Sequence, residues 1–110
     1  MFSHYKTDDL VKQRMKLMPE FECYPIWIAD AEGIHHNISI DSLLITSALK
    51  KRLEEWDSQF QLTFNSNYPP DSDFTSESER EAYQKEGVEI YQQLVNELGN
   101  TFEIRYYPSY

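Results

Sequence analysis

The residues best equipped to do chemistry are few and poorly placed to do it together. His35 and His36 are adjacent, His4 lies far away, and Cys23 is the only cysteine. Neighbouring residues of a strand point to opposite faces, so His35 and His36 cannot both ligate one ion. Cys23 beside a histidine would make a thiol nucleophile. Its apolar sequence surroundings instead predict a small buried hydrophobe, the usual state of a free cysteine. Asp71-Ser72-Asp73 opens like a calcium loop. Such a loop needs Gly at its sixth position and Glu at its twelfth, and here Ser76 and Ala82 stand there. Asn37-Ile38-Ser39 matches a glycosylation acceptor and reads as accidental in a chain whose N-terminus has no apolar signal core. No P-loop, Gly-rich dinucleotide loop or Gly-x-Ser-x-Gly elbow occurs. Three glycines leave little material for a phosphate cradle. No catalytic residue, metal or cofactor is expected.

Charge and aromatic content point to binding instead. The 110 residues carry 19 acids against 10 bases, a net charge of −9. That balance argues against a nucleic-acid binder, which needs basic groups to neutralise phosphates, and favours a basic partner. The excess is uneven: −5 over Pro19–Leu49 and −4 over Asn65–Ala82, against +2 over Met1–Met18. Eight tyrosines and two tryptophans are many for one small core. Tyr68, Phe74, Tyr107 and Tyr110 fall in a loop or off an apolar stripe. Aromatic side chains anchor interfaces. The candidate partner-binding residues are therefore Asp30, Glu32, Tyr68, Asp71, Asp73 and Phe74.

These residues must be positioned by a small α+β fold of order β-β-β-α-α-β. One domain is expected at this length. A lone cysteine and the absence of any apolar run near the roughly 20 residues that span a bilayer suggest a reduced cytoplasmic protein. Alternation of Val11, Gln13, Met15 and Leu17 with Lys12, Arg14 and Lys16 favours a strand over Lys12–Met18, preceded by a turn at Thr7–Leu10; a helix capped at Thr7 is the alternative. Its basic ridge reads as a solvated edge strand. Tyr24–Asp30 forms a second strand, with Tyr24, Ile26 and Ile28 on one face. A turn at Ala31-Glu32-Gly33 leads to a returning strand over Ile34–Ile40. Leu49, Leu53, Trp56 and Phe60 make one face of a helix capped by Thr46 or Ser47. Ser76 and Glu79 form a capping box for a second helix, whose apolar face is Tyr83, Gly87, Ile90, Tyr91, Leu94 and Leu98. Gly87 should permit a close approach to the sheet or the first helix. Gly99 suits a left-handed C-cap. Phe102, Ile104 and Tyr106 make the last strand. Two successive amphipathic helices should cover one face of a sheet that is antiparallel at least in part.

The run Lys16-Leu17-Met18-Pro19-Glu20-Phe21-Glu22-Cys23-Tyr24-Pro25-Ile26-Trp27 resembles the start of a family of small acidic bacterial proteins. Ser42-Leu43-Leu44-Ile45-Thr46, Leu53 to Trp56-Asp57, Leu62-Thr63-Phe64-Asn65, Asp73-Phe74-Thr75-Ser76, Glu86-Gly87 and Glu97-Leu98-Gly99 extend the resemblance from about Arg14 to Tyr107. Within it the chain resembles immunity proteins of contact-dependent growth inhibition systems. The resemblance implies a non-enzymatic cytosolic protein that binds and neutralises a cognate toxin domain, often a nuclease; a monomer is expected when it is free. A self-associating or adaptor module is the alternative. A nuclease presents a basic cleft that an acidic protein could cover, and a standard interface takes roughly 800 Å² per partner.

Overall fold

The computed structural model describes residues 12–69 and 72–108. His4, the turn at Thr7–Leu10, Val11, Asp71 and Tyr110 lie outside them. Four strands pair into one sheet: β1 (Gln13–Leu17), β2 (Ile26–Ala29), β3 (His35–Ile38) and β4 (Phe102–Tyr106), in the order β3-β2-β1-β4. β1 is antiparallel to β2, and β2 to β3, whereas β4 runs parallel to β1. Two helices, α1 (Ser47–Gln61) and α2 (Glu77–Leu98), separate the hairpin from β4.

The period-two pattern of β1 is realised: Met15 and Leu17 are buried, while Arg14 is exposed. The expected edge position of this strand is not. β4 inserts beside β1, so its basic residues sit on a central strand. They are solvated because they face away from the helices, not because the strand lies at a border. The β2 and β3 ladder is shorter than the alternation suggested. Tyr24 falls outside β2 and is exposed. Ile34 is also exposed, while Ile40 leaves the strand for a one-turn 3-10 helix over Ile40–Ser42 and is buried there.

Leu49, Leu53, Trp56 and Phe60 of α1 and Tyr83, Ile90, Leu94 and Leu98 of α2 meet Met15, Leu17, Ile26 and Ile104 in one apolar cluster. Both helices therefore cover the same sheet face. Trp56 stacks on Tyr83 with ring centroids 4.6 Å apart, and its Nε1 donates to the Tyr83 carbonyl at 2.9 Å. Such pairing removes the cost of burying the indole N–H. Phe21 stacks on Phe60 at 4.5 Å and touches Phe64 at 5.1 Å. Much of the aromatic surplus is thus absorbed by packing.

Gly87 sits where both expected approaches occur at once. A Cβ there would lie 2.7 Å from Tyr106 Cζ and 2.8 Å from Trp56 Cζ2. The caps differ in detail from the sequence reading. Thr46 caps α1 by accepting from the Leu49 N–H. Ser76 accepts from the Glu79 N–H at 3.2 Å, but the Glu79 carboxylate accepts from the Thr75 hydroxyl at 2.6 Å, so the capping box is not reciprocal. Gly99 is right-handed, with φ −64°, and its N–H returns to the Val95 carbonyl. The helix closes by continuing its own turn, and a left-handed residue is not required.

Candidate partner-binding surface

The five described candidates fall into two groups. Asp30 and Glu32 occupy the β2–β3 turn. Asp30 accepts from the Glu32 and Ile34 N–H groups at 2.9 and 3.0 Å, and its second oxygen meets His36 Nε2 at 2.8 Å. Gly33 completes the turn with φ 86°. The His36 contact and these backbone donors hold the Asp30 carboxyl below its usual range, because each favours the ionised form. The carboxylate is thus occupied in shaping the turn. Glu32 beside it is exposed, with no side-chain partner among the described residues.

Tyr68, Asp73 and Phe74 lie on the connection between the helices. Asn65 Oδ1 accepts from the Asn67 and Tyr68 N–H groups, and the Asn65 N–H donates to Ser72 Oγ at 2.7 Å. The connection is therefore a tied loop, and it leaves Tyr68 58% exposed. Asp73 accepts from the Phe74 N–H at 2.7 Å and pairs with Arg80, which also meets Glu77 at 3.2 Å. The Arg80 guanidinium pulls the Asp73 carboxyl below its usual range. Phe74 is half-buried, 5.0 Å from the Tyr83 ring. Asp71 lies outside the described residues.

Asp73 and Phe74 line a groove of about 450 Å³ with Gln59, Leu62, Thr63 and Glu79. Leu62 is 85% exposed at its rim. An apolar floor with acids at its edge is suited to an aliphatic or aromatic side chain from a basic surface. Leu62 was not among the partner-binding candidates read from the sequence. It stands two residues past Phe60, off the stripe of steps four, three and four, and that displacement is the signal for an outward leucine.

The two groups sit at opposite ends of the sheet. Gln61, at the end of α1, donates to the Glu20 carbonyl at 3.0 Å and accepts from the Glu22 N–H at 2.9 Å, so the connection adjoins the β1–β2 loop. Lys12, just before β1, donates to the Gly99 carbonyl beyond α2, at the end that holds the β2–β3 turn. The sequence placed its negative excess in two stretches, and folding keeps them apart.

The remaining chemical residues do not converge. His35 and His36 project to opposite sheet faces, as strand geometry requires, and only His36 meets a carboxylate. Burial, followed by the charges of Glu20, Glu22 and Asp57, pushes the Cys23 thiol up, the reverse of what an activated nucleophile needs. The Asn37 side chain is occupied by the Tyr24 and Ile26 backbone. Among the described residues no cluster of three or more His, Cys, Asp or Glu could hold a metal ion. No helix there is long and apolar enough to cross a membrane.

A comparison with curated proteins gives no match. A family model described as Serratia CdiI immunity protein-like matches residues 13–109, which spans every strand and helix of the fold. The chain belongs to the Serratia CdiI immunity protein-like family.

Proposed function

We propose that the chain is the cytoplasmic immunity partner of a cognate toxin domain, and that this toxin is a nuclease acting on RNA whose basic active-site cleft it covers. The family match over residues 13–109 carries this reading. The acidic balance supports the choice of a nuclease, because a cleft that holds phosphates attracts carboxylates. A net charge of −9 also speeds encounter with such a partner at low salt.

The groove between α1 and the connection is the principal contact in this reading. Tyr68 and Phe74 supply apolar area, Leu62 extends it, and Asp71 and Asp73 are the acids assigned to the toxin's cations, Asp73 by sharing its carboxylate with Arg80. Glu32, with Asp30 fixing its turn, offers a second acidic contact at the far end of the sheet. Binding alone suffices for neutralisation, so the protein acts as an inhibitor without a cofactor and is a monomer when free.

Co-expression with the toxin domain encoded by the adjacent gene tests the proposal. The chain should restore growth, and the purified pair should form a one-to-one complex that blocks RNA cleavage. Tyr68→Ala with Leu62→Ser should weaken that complex by about tenfold or more without lowering the melting temperature. Absence of any complex with the toxin domain would sink the reading. A complex that leaves cleavage intact would remove the claim that the cleft is covered.

A further inference from the structure

The sheet has a second face that no helix among the described residues covers. Strand register sets Lys16 of β1 between Trp27 of β2 and Arg105 of β4, and Arg14 opposite Glu103. His35 of β3 stands on the same face, opposite Ala29, and Tyr107 follows β4. Arg14, Lys16, His35, Arg105 and Tyr107 border a hollow of about 200 Å³ together with Glu103.

Arg14 on this face is treated differently from the two arginines of the helices. Arg52 meets Glu86 and Glu89, and Arg80 meets Asp73 and Glu77. Arg14 and Lys16 have no carboxylate partner among the described residues, although the chain carries almost twice as many acids as bases. Lys16 Nζ rests 5.6 Å from the centre of the exposed Tyr107 ring, and Arg105 reaches Glu103 at 3.4 Å. The crowding is felt locally: after burial, the charges of Lys16 and Arg14 hold the His35 imidazole below its usual range. Arginine, tryptophan and tyrosine are also the side chains that most often anchor protein interfaces.

We propose that this open sheet face docks an acidic segment of the toxin, whose carboxylates pair with Arg14, Lys16 and Arg105 while Trp27 and Tyr107 flank them. The inference rests on the toxin-binding reading above and adds a contact of opposite charge to it. Charge complementarity selects the occupant. A second copy docked through this face about a two-fold axis would set the same cations against one another. A nucleic acid would have to approach a chain of net charge −9 and would meet Glu103 in the patch. β4 runs parallel to β1, with Tyr106 opposite Leu17. Lys16, Arg105 and Tyr107 therefore lie toward the end of the sheet that also holds Gln61 and the helix connection, so one partner can reach both surfaces.

The test uses the full chain and the toxin domain encoded by the adjacent gene, with affinity measured by titration calorimetry at two salt concentrations. Arg14→Glu/Lys16→Glu should weaken binding about 100-fold, and Arg14→Gln/Lys16→Gln about tenfold with a shallower salt dependence. Both variants should melt like the parent. In the unaltered complex, reductive methylation should spare Lys16 while modifying Lys51, a readout that needs no variant. Unchanged affinity in the glutamine variant, or a Lys16 that stays reactive in the complex, would overturn this inference and leave the toxin-binding reading standing. Failure of the parent chain to bind the toxin would overturn both. Two controls assign the face elsewhere and so also overturn the proposal. One is binding of a fluorescent single-stranded oligonucleotide that the glutamine variant loses. The other is a concentration-dependent dimer, seen by light scattering, that the same variant abolishes.

Discussion

The two faces of the sheet are built from alternate residues of the same strands, yet they do different work. Leu17 and Met15 point into a cluster closed by Trp56, Tyr83 and Ile90. Lys16 and Arg14, one residue away in each case, point to the other side. On the covered face burial of apolar surface drives folding at roughly 25 cal/mol per Å². On the open face the described residues bury less apolar surface, and Arg14 is exposed. The pleat thus separates the packed face from the proposed recognition face within a strand of five residues. Substitutions on the two faces should separate in the same way.

The largest effect is expected from Leu17→Ala. It removes a fully buried side chain and should cost about 2–5 kcal/mol in urea unfolding. Gly87→Ala comes next, at about 1–3 kcal/mol, because its methyl group must displace Trp56 or Tyr106; a melting temperature equal to the parent's would show that these rings yield freely. Glu86→Gln should cost about 1 kcal/mol. It breaks the Arg52 contact joining the helices, which is charge-assisted but partly solvated. Arg14→Ser with Lys16→Ser should stay within about 0.5 kcal/mol of the parent. If that pair costs as much as Glu86→Gln, the open face belongs to the structural framework and the contrast drawn here collapses.

Acid titration sharpens the same contrast. Glu86 is held below its ordinary value by Arg52, and Glu97 by the Thr46 N–H and hydroxyl. A carboxyl depressed in the folded state contributes stability that is complete above the unfolded value, 4.5 for Glu, and is lost as pH falls through the folded value. Stability should therefore decline as pH drops below about 4.5, and the decline should be shallower in Glu86→Gln and Glu97→Gln. Arg14→Gln/Lys16→Gln should leave the slope nearly unchanged, as measured by urea midpoints between neutral and acid pH.

The segments that carry the family resemblance meet one another in space, which explains why they indicate a fold so well. Thr46 of Ser42–Thr46 donates to Glu97 of Glu97-Leu98-Gly99 at 2.8 and 2.9 Å. Gly87 faces Trp56. Phe64 of Leu62–Asn65 packs on Phe21 of the opening run. These contacts join helices and loops, so they record architecture and leave the toxin-facing residues unmarked. The element order, the apolar helix stripes and the inward face of β1 were legible because each is a local periodicity. The central place of β1 was not, since it depends on β4, more than eighty residues later in the chain. The basic ridge had the right residues and the wrong surroundings for that reason.

The acidic candidates show the same division. Charge counting found both stretches, but it could not show that Asp30 is occupied by its own turn and Asp73 by Arg80, nor that the turn and the connection occupy opposite ends of the sheet. Leu62 became a candidate only when the groove was formed around it. By itself the sequence determined the α+β class, the buried stripes and the acidic balance, because side-chain periodicity and net charge are properties of the chain. Only the tertiary structure decided which charges are paired and which are left exposed. Pairing depends on distances between residues far apart in sequence, and those distances are set when β4 joins the sheet beside β1 and the two helices close over one of its faces.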